Sequence, residues 1–536
     1  MVPFFPALLP DTDANDAMAV APWGVVAILL LGVAIRVFAC AHSHIINPDG
    51  VYYIHQARAV YFGEWDTLTS CHLGFLSNYP LFIAGAYALF HHWVFSATVV
   101  SVLFGSGTLI PLYLLCRRFF DRNISALTLL VFAVLPVFVD RSADVVRGPI
   151  CWFFLALGLY FFVKSEENAH GLDLLFSCLF FLMASWARIE SVLFILVSAV
   201  YLVAAPSPRR FWKLIWFALP LLGVLFFVLG GVICFSKPLD QILRLQEVMT
   251  KLSAPIMAYE TIREGLAQLM NQQPVDEVMP HFLHKTRNMV WLVGLGTLFK
   301  YMIRACFYLF FIPFILGAGG VWQGVKEDRR ILYLSISVLS AFFLLYLHIM
   351  QTWMMFDRFW AVFLVPAFVF LGFGLQKIVS WLLFTCRLKK WTALSLLCFL
   401  ILAFTLPKNL QPQEADKGIY KEMGEMIARK EGNDEIIPIA KSRHTPNWTP
   451  FYANLHYKGA PCPLGSLDLA SLTEKGYDTF VKTLKQNDFR YFLWEEDFWP
   501  KNAFDFSTEK NEEDFIKLRE WRHPDTGRII LYRIAS

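Results

Sequence analysis

The sequence contains few charged residues for a chain of 536. Asp, Glu, Lys and Arg make up 17% of it, whereas soluble domains average about 25%. Hydrophobic residues make up 57% and aromatic residues 16%, and the mean hydropathy is +0.49. This composition excludes a disordered protein, a cytosolic enzyme and a nucleic-acid-binding protein as first interpretations. It predicts a polytopic membrane protein.

The sequence also lacks the short motifs of nucleotide and zinc sites. It has no GxxxxGK[ST] loop and no Rossmann glycine fingerprint, so neither an ATP-driven nor an NAD-linked reaction is indicated. Its ten cysteines include no CxxC pair, which argues against zinc binding. Most of them lie in apolar runs, where a thiol behaves as a small hydrophobic group. Cys71 and Cys462 lie in polar segments and could form a disulfide.

The charges that are present divide the chain in two. Residues 408–536 hold 19 Lys and Arg and 21 Asp and Glu, against 28 and 22 in the 407 residues before them. The sequence therefore predicts a membrane domain over 1–407 and a water-soluble domain over 408–536. Alternating patterns make the second domain α/β, with helices at 417–430, 468–486 and 511–521 and strands at 435–441, 491–499 and 528–534.

About eleven apolar runs are long enough to cross a bilayer as helices. Basic clusters follow every second run, and with eleven spans they all fall on one side, which is then cytoplasmic. The other side receives a first outer loop at 41–93, a large outer loop at 235–302 and the soluble domain. The first loop contains segments typical of helices lying on the outer membrane surface. The predicted spans are 21–40, 94–116, 124–140, 149–164, 172–187, 190–206, 211–234, 303–322, 331–349, 359–384 and 391–407.

Asp49 stands in the first outer loop, in the segment INPDGVYYIHQARAVYFGEW (46–65). A carboxylate there could act as a general base that takes a proton from an incoming hydroxyl. The alternative is structural, because an Asp before a helical pattern is typical of a helix N-cap. The local pattern leaves both interpretations open.

A second acidic segment, DRSADVVRGPICWFF (140–154), lies in the outer loop between the third and fourth spans. Asp144 and Arg147 are neighbours if this segment is helical, and such an ion pair contributes roughly 0.2–0.5 kcal/mol. The functional interpretation is that Asp144 or Asp140 lies near the acceptor or a metal, while Arg147 contacts phosphate oxygens. These two interpretations also stay open.

Further charged residues lie at the predicted outer ends of spans. Long basic side chains there commonly extend to the interface, but arginine also fits a lipid phosphate through two parallel hydrogen bonds. Their position on one predicted face favours phosphate recognition. They are Arg188 and Glu190, Lys300 and Arg304, and Asp357 and Arg358.

Metal and modification sites are weakly indicated. His281 and His284 are one helical turn apart in the large outer loop, but two histidines alone are a weak signal. They are the candidate ligands if a divalent metal binds, and no other cofactor is indicated. Asn447, followed by Trp448 and Thr449, matches an N-glycosylation sequon.

Several short motifs follow one another in a defined order over residues 21–407. Each of them is short, so their order carries more weight than any one of them. They are Asp49 in its tyrosine-rich segment, Tyr79-Pro80 ahead of an apolar helix, LCRRFFDR (115–122), Pro136 near the end of a span, the outer turn from Ser142 to Arg147, and DRFWAVFLVPAFVFLG (357–372).

In this order the chain resembles the C-type membrane glycosyltransferases, and among them glycosyltransferase family 39, the protein mannosyltransferase and lipid A aminoarabinose transferase-like enzymes. The resemblance implies a GT-C-like fold and transfer of a sugar from a polyprenyl-phosphate-linked donor at the outer membrane face. It implies that Asp49 is catalytic, together with Asp144 or Asp140. Where several members have two adjacent acidic residues, this chain has Asp49 and Gly50. Expected contacts to donor or sugar are Tyr52, Tyr53, Arg147, Arg188, Glu190, Lys300, Arg304 and Arg358.

The expected partners are a polyprenyl-phosphate sugar, membrane lipid, and an acceptor that is a lipid, a glycan or a protein. The expected location is the bacterial inner membrane, with residues 408–536 on the periplasmic side. Two rival functions are transport or flipping of a lipid-linked glycan, and ligation or polymerisation of oligosaccharide from a diphosphate-linked donor. Transporters often show inverted repeats and ionisable groups near the midplane, whereas this sequence shows no repeat and predicts its charges at one surface.

Overall fold

A computed structural model describes residues 22–535 apart from 70, 72, 169, 206–208, 236–244, 273–277, 433, 463–465, 502 and 505–512. The chain divides into two compact units. The helical unit takes the described parts of 1–37, 101–142 and 147–410, and the mixed unit takes those of 38–100, 143–146 and 411–536.

Helices dominate the chain up to residue 409, as its hydropathy predicts. The longer ones are Pro22–Ala41, Pro48–Phe62, Asn78–Phe90, Trp93–Gly107, Leu109–Cys116, Arg122–Val134, Gly148–Asn168, Gly171–Ala187, Val192–Ala204, Arg210–Phe235, Leu245–Gln272, Val278–Ala305, Phe311–Ala318, Arg329–Thr352, Ala361–Phe384, Lys390–Asn409, Gly418–Glu431 and Tyr477–Gln486. The shorter ones include Pro136–Ser142, Val321–Glu327, Trp448–Ala453 and Leu469–Thr473.

The apolar helices make this chain an integral membrane protein. Within the described residues, seven helices are long and apolar enough to cross a membrane, and a bent pair over 122–142 can supply an eighth. Two shorter apolar helices, Gly171–Ala187 and Ile189–Ala204, coincide with two further predicted spans. Eleven spans therefore stays a prediction.

The single helix expected over 303–322 is wrong. Helix Val278–Ala305 ends there, Phe307 and Tyr308 take positive φ angles of 50° and 53°, and the chain continues as two short helices. The first of these packs closely on a neighbouring helix, because a Cβ on Gly317 would lie 1.8 Å from the carbonyl oxygen of Phe370. Such close packing requires a small residue, and it outweighs the continuous apolar pattern.

The bent pair of helices changes direction by 54° at Pro136. Proline lacks an N–H, so the carbonyls of the preceding turn lose their helical partners. Two side chains from elsewhere replace them: Arg36 Nη1 donates to Ala133 O at 2.9 Å, and Asn409 Nδ2 donates to Val134 O at 2.7 Å. Unpaired backbone groups are costly in a bilayer, so these buried polar side chains stabilise the bend. Neither side chain stands out in the local sequence pattern.

The basic clusters predicted to share one side meet at one end of the helical unit. Arg118 pairs with Glu167 at 2.6 Å, and Arg330 pairs with the same carboxylate. Lys213 pairs with Glu166 at 2.7 Å. Each of these cations follows a different predicted span. The ion pairs therefore support the prediction that the basic loops lie on the same side of the membrane. Its cytoplasmic assignment stays a prediction.

The mixed unit contains a five-stranded sheet. Its strands are β1 Ile439–Ser442, β2 Ser466–Leu467, β3 Tyr491–Glu495, β4 Phe515–His523 and β5 Gly527–Ile534. They lie side by side in the order β2-β1-β3-β5-β4. Strand β1 is parallel to β2 and β3, while β5 is antiparallel to β3 and β4. Phe480 and Leu484, one turn apart and fully buried, belong with Phe492 to the core of this sheet. The predicted small α/β domain is thus present.

The helix predicted over 511–521 is wrong over the residues that the structure describes, since β4 begins at Phe515; residues 511 and 512 lie outside them. Its mixed charges resemble an exposed helix, but Phe515, Trp521 and His523 are buried and most of the residues between them are exposed. A tight turn after Pro524 ends at Gly527, whose φ of +69° favours glycine. Pairing with β5 across this turn therefore decides the conformation. The helix predicted over 468–486 is divided in two at Gly476, with φ +86°.

Candidate functional site

Asp49 lies in the first turn of the first-loop helix, Pro48–Phe62. The side chain of Asn47 accepts a hydrogen bond from the backbone N–H of Asp49 at 3.1 Å. Asn47 is therefore the N-cap, and the interpretation of Asp49 as the cap is wrong. Pro48 takes the first helical position, where its missing N–H costs nothing. The half-buried Asp49 carboxylate stands at the helix N-terminus, where a negative charge is favourable.

Asp144 stabilises the turn that precedes Asp49. Its Oδ1 accepts the backbone N–H of Asn47 at 2.8 Å and that of Val145 at 2.7 Å. Hydrogen bonds to an ionised acceptor are stronger than neutral ones, so this carboxylate holds the capping residue in place. Asp140 instead lies in helix Pro136–Ser142 of the helical unit. Of the two predicted alternatives, Asp144 is the one that belongs to the Asp49 turn.

Gly50 allows a close approach between the first-loop helix and the segment that carries Asp144. A Cβ at position 50 would lie 2.9 Å from Val145 Cβ and 3.0 Å from its carbonyl oxygen. A second acidic side chain after Asp49 would therefore collide with this backbone. This contact gives a physical reason for the single Asp49 carboxylate.

The two tyrosines predicted to bind substrate have different surroundings. Tyr52 is half-buried, and its hydroxyl accepts a hydrogen bond from Asn447 Nδ2 at 2.6 Å. Burial raises the pKa of Tyr52, and the charge of Asp49 adds to the rise, so the phenol stays protonated at neutral pH. Tyr53 is only 4% exposed and packs edge-to-face on Tyr79 at 5.5 Å. The contacts described for Tyr53 are therefore those of a core aromatic residue.

Residues 446–462 bind the first loop at several points. Trp448 Nε1 donates to Ile46 O at 2.8 Å, and Cys71 forms a disulfide with Cys462. Arg58, 2% exposed, donates to the carbonyls of Gly459, at 2.6 Å, and of Tyr457. Burial lowers the pKa of Arg58 to about 10, so it remains charged at neutral pH. Sequence reasoning missed Arg58, although a cation on an apolar helix pattern is a usable signal.

In the helical unit, the structure brings together three residues of the predicted phosphate-binding set. Arg188 is 3% exposed, donates to Arg358 O at 3.3 Å and lies 3.5 Å from the carboxylate of Glu190. Its guanidinium also stacks over Phe359, 4.7 Å from the ring centre. A guanidinium held by a carbonyl, a carboxylate and a ring is strongly oriented. Arg358 itself is half-buried and lies over Phe356.

The three other basic residues predicted to bind phosphate lie at separate places in the helical unit. Arg147 is half-buried just before helix Gly148–Asn168 and interacts electrostatically with Cys151. Lys300 and Arg304 are exposed on helix Val278–Ala305.

The histidines proposed as metal ligands do not form a three-ligand group. His281 and His284 are exposed, and the one group of three ligand-type side chains in the described chain is Asp416, His523 and Asp525. There the backbone N–H of Asp525 donates to His523 Nδ1 at 3.1 Å. The Nε2 of this ring lies 3.6 Å from the Asp416 carboxylate, so the structure places an imidazole beside a carboxylate here.

The sequon residues have structural partners. Asn447 donates to Tyr52, while Thr449 is fully buried and donates to Tyr420 O at 3.1 Å. The sequon side chains therefore take part in hydrogen bonding within the fold.

Comparison with known proteins shows the same fold in membrane glycosyltransferases. Residues 78–233 match the family model described as dolichyl-phosphate-mannose-protein mannosyltransferase. The structure is similar to ArnT from Cupriavidus metallidurans bound to undecaprenyl phosphate, with a TM-score of 0.57, 11% identity, and coverage of 96% of this chain and 99% of that one. No curated protein matches the sequence.

A second solved structure, the Archaeoglobus fulgidus oligosaccharyltransferase in complex with Zn and sulfate, gives a TM-score of 0.51 at 12% identity. It covers 95% of this chain and 72% of that one. At such identities the likeness concerns the fold. It confirms the predicted GT-C-like architecture, a helical membrane part followed by a small sheet-containing domain.

Proposed function

We propose that this protein is a glycosyltransferase that moves a sugar from a polyprenyl-phosphate donor to an acceptor at the extracytoplasmic membrane face, with Asp49 as general base. The observation that carries the proposal is the Asp49 turn, in which a half-buried carboxylate is held by Asn47 and Asp144 at a helix N-terminus. The fold shared with an undecaprenyl-phosphate-bound ArnT supports the donor class.

In the proposed reaction, Asp49 takes the proton from the acceptor hydroxyl or amine. The acceptor atom bonds to the anomeric carbon of the sugar as the bond from that carbon to the phosphate oxygen breaks. Polyprenyl phosphate leaves with the bonding electrons. On the sequence pattern and the family resemblance alone, the basic residues proposed to stabilise the charge on this leaving group are Arg188, Arg358, Arg147, Lys300 and Arg304.

Binding of a divalent metal is proposed from the sequence alone. Carboxylate oxygens such as those of Asp49 are ligands that hard cations prefer, but Asp144 already uses Oδ1 for two backbone N–H groups. No step above depends on a metal.

The disulfide supports the extracytoplasmic assignment. Disulfides persist in oxidising compartments and are rare in the cytosol, and Cys71 and Cys462 belong to the first loop and to the C-terminal segment. In a bacterium, this corresponds to the inner membrane with these segments in the periplasm.

The test is donor turnover by the purified full chain in detergent. Undecaprenyl-phosphate sugars are supplied with pools of lipid, glycan or peptide acceptors, and released undecaprenyl phosphate is measured. We expect release by the wild type and none by Asp49→Asn. The matched control is Asp66→Asn, which removes an exposed carboxylate in the same loop and should leave release unchanged.

Each contrary result points to a different function. Full release by Asp49→Asn overturns the general-base assignment. Transport of the intact lipid-linked sugar without release supports a transporter or flippase. Turnover of diphosphate-linked oligosaccharide alone supports a ligase or polymerase.

A further inference from the structure

The C-terminal segment contacts the chain on both sides of Asp49. Trp448 Nε1 donates to Ile46 O at 2.8 Å, and Asn447 Nδ2 donates to the Tyr52 hydroxyl at 2.6 Å. Ile46 and Tyr52 lie three residues before and three residues after Asp49. These two contacts span 402 and 395 positions of sequence. Two consecutive residues of the C-terminal segment thus hold both flanks of the proposed base.

Asn447 makes this contact instead of a local one. It precedes helix Trp448–Ala453 at the N-cap position, where an asparagine side chain normally accepts a backbone N–H of its own helix. Asn447 makes no such bond, and its Oδ1 is buried without a hydrogen-bond partner among the described residues. Both features are locally unfavourable, and such departures from local stability concentrate at functional sites.

The support behind Asn447 is rigid. Trp448 is 2% exposed and Thr449 is fully buried, with its hydroxyl bonded to Tyr420 O. A Cβ on Gly424, in helix Gly418–Glu431, would lie 2.8 Å from Thr449 O, so the two helices are in close contact. The side chain of Asn447 is therefore presented to Tyr52 from a fixed backbone.

Tyr52 is suited to contact a substrate beside Asp49. The two residues are one helical turn apart on the first-loop helix, and residues with this spacing share a face. The phenol is half-buried and interacts electrostatically with the Asp49 carboxylate. A hydroxyl in this position can hydrogen-bond the hydroxyl or amine that Asp49 deprotonates.

We propose that Asn447 is a positioning residue for acceptor recognition, holding the Tyr52 hydroxyl against the acceptor group at Asp49. The inference rests on the proposed function for its chemistry, and it makes the C-terminal segment part of the acceptor subsite. Asn447 touches Tyr52 and not the reacting atoms.

The first test does not depend on activity. Hydrogen exchange of the full chain in detergent is compared for wild type, Asn447→Ala and Asn447→Leu, the second of which keeps the branched shape of the side chain without its polar groups. We expect faster exchange over residues 46–53 with an unchanged melting temperature. The matched control is Asn487→Ala, because Asn487 is exposed and its amide bonds only within its own helix end. Unchanged exchange over 46–53 in both Asn447 variants overturns the proposal.

The second test separates recognition from folding. With undecaprenyl-phosphate sugar as donor and the acceptor pool that supports release, Asn447→Ala and Tyr52→Phe should each raise the acceptor KM about tenfold. The donor KM and kcat should stay within about twofold, and the double variant should be no worse than Tyr52→Phe alone. A changed donor KM, additive losses, or a fall in activity that follows a fall in melting temperature overturns it.

The two proposals can fail separately. Full activity of Asp49→Asn rejects the general base, and the exchange experiment still decides whether Asn447 holds the first loop. A dead Asp49→Asn with wild-type kinetics and exchange in Asn447→Ala rejects the positioning role alone.

Discussion

Asp144 Oδ1 accepts the backbone N–H of Asn47 at 2.8 Å, across 97 positions of sequence. Asn47 in turn caps the helix that carries Asp49. A short segment from the second outer loop thus sets the position of a candidate catalytic carboxylate without being its neighbour in sequence. The sequence alone predicts a catalytic role for both Asp49 and Asp144. The hydrogen bonds distinguish the proposed base, Asp49, from Asp144, which supports the turn before it.

Substitution of Asp144 should distinguish positioning from catalysis. Asp144→Asn keeps an acceptor oxygen for the two backbone N–H groups and should retain most transfer activity. Asp144→Ala leaves both N–H groups without their acceptor and should lower the free energy of unfolding by about 1–3 kcal/mol, together with activity. Thermal unfolding and donor release measure both effects. An inactive but fully stable Asp144→Asn would instead favour a direct catalytic role.

Gly50→Ala should destabilise the mixed unit. The new methyl group would lie 2.9 Å from Val145 Cβ and 3.0 Å from Val145 O, and relief of such overpacking typically costs about 1–3 kcal/mol. We expect a lower melting temperature and reduced donor release.

Gly85→Ala is the matched control for Gly50→Ala. Gly85 is also in a helix of the mixed unit, but a Cβ there would meet nothing within 4 Å. Since alanine is favoured over glycine in helices by roughly 0.5–1 kcal/mol, this variant should be neutral or slightly stabilised. Equal losses in both variants would contradict the Val145 contact as the cause.

Loss of the Cys71–Cys462 disulfide should weaken the mixed unit. The bond joins residues 391 positions apart, and cross-links of this kind typically contribute about 2–4 kcal/mol by restricting the unfolded chain. Cys71→Ser should lower the melting temperature and abolish its sensitivity to reductant. Cys386→Ser, at an exposed free cysteine, should change neither. A linked peptide pair on non-reducing mapping checks the bond directly.

Because Lys441 is buried, we expect the free energy of unfolding to rise as the pH is raised above neutral. It is 1% exposed and donates to Thr445 O at 2.5 Å, and burial lowers its pKa from 10.5 to about 8. Between these values the unfolded chain binds a proton that the folded chain has released, so the free energy of unfolding rises with pH. The full rise is about 3 kcal/mol.

The pH effect is measured as the melting temperature from pH 7 to pH 10. Lys441→Met should remove this contribution, whereas Lys482→Met, which removes an exposed lysine of the same unit, should preserve it. A parallel pH profile for wild type and Lys441→Met would reject the assignment. Glu495, whose pKa burial raises, acts in the opposite direction at acidic pH, where stability falls as pH rises.

The sequence was most informative where the signal is local. Apolar runs identify helices because a membrane span must satisfy its backbone hydrogen bonds internally, and the basic clusters lie at one end of the bundle as their spacing predicts. The order of short motifs was enough to indicate the GT-C-like fold. Local pattern failed over 303–322 and 511–521, where packing through Gly317 and pairing with β5 override it.

For the candidate site, the sequence by itself determined which side chains could take part: Asp49, the second-loop acids and a set of arginines. Only the tertiary structure separated Asp144 from Asp140, explained Gly50, and brought Asn447 to Tyr52. The reason is physical. Composition and periodicity report what one helix or strand does with solvent, whereas these contacts join residues about 100 to 400 positions apart, whose approach depends on how whole elements pack.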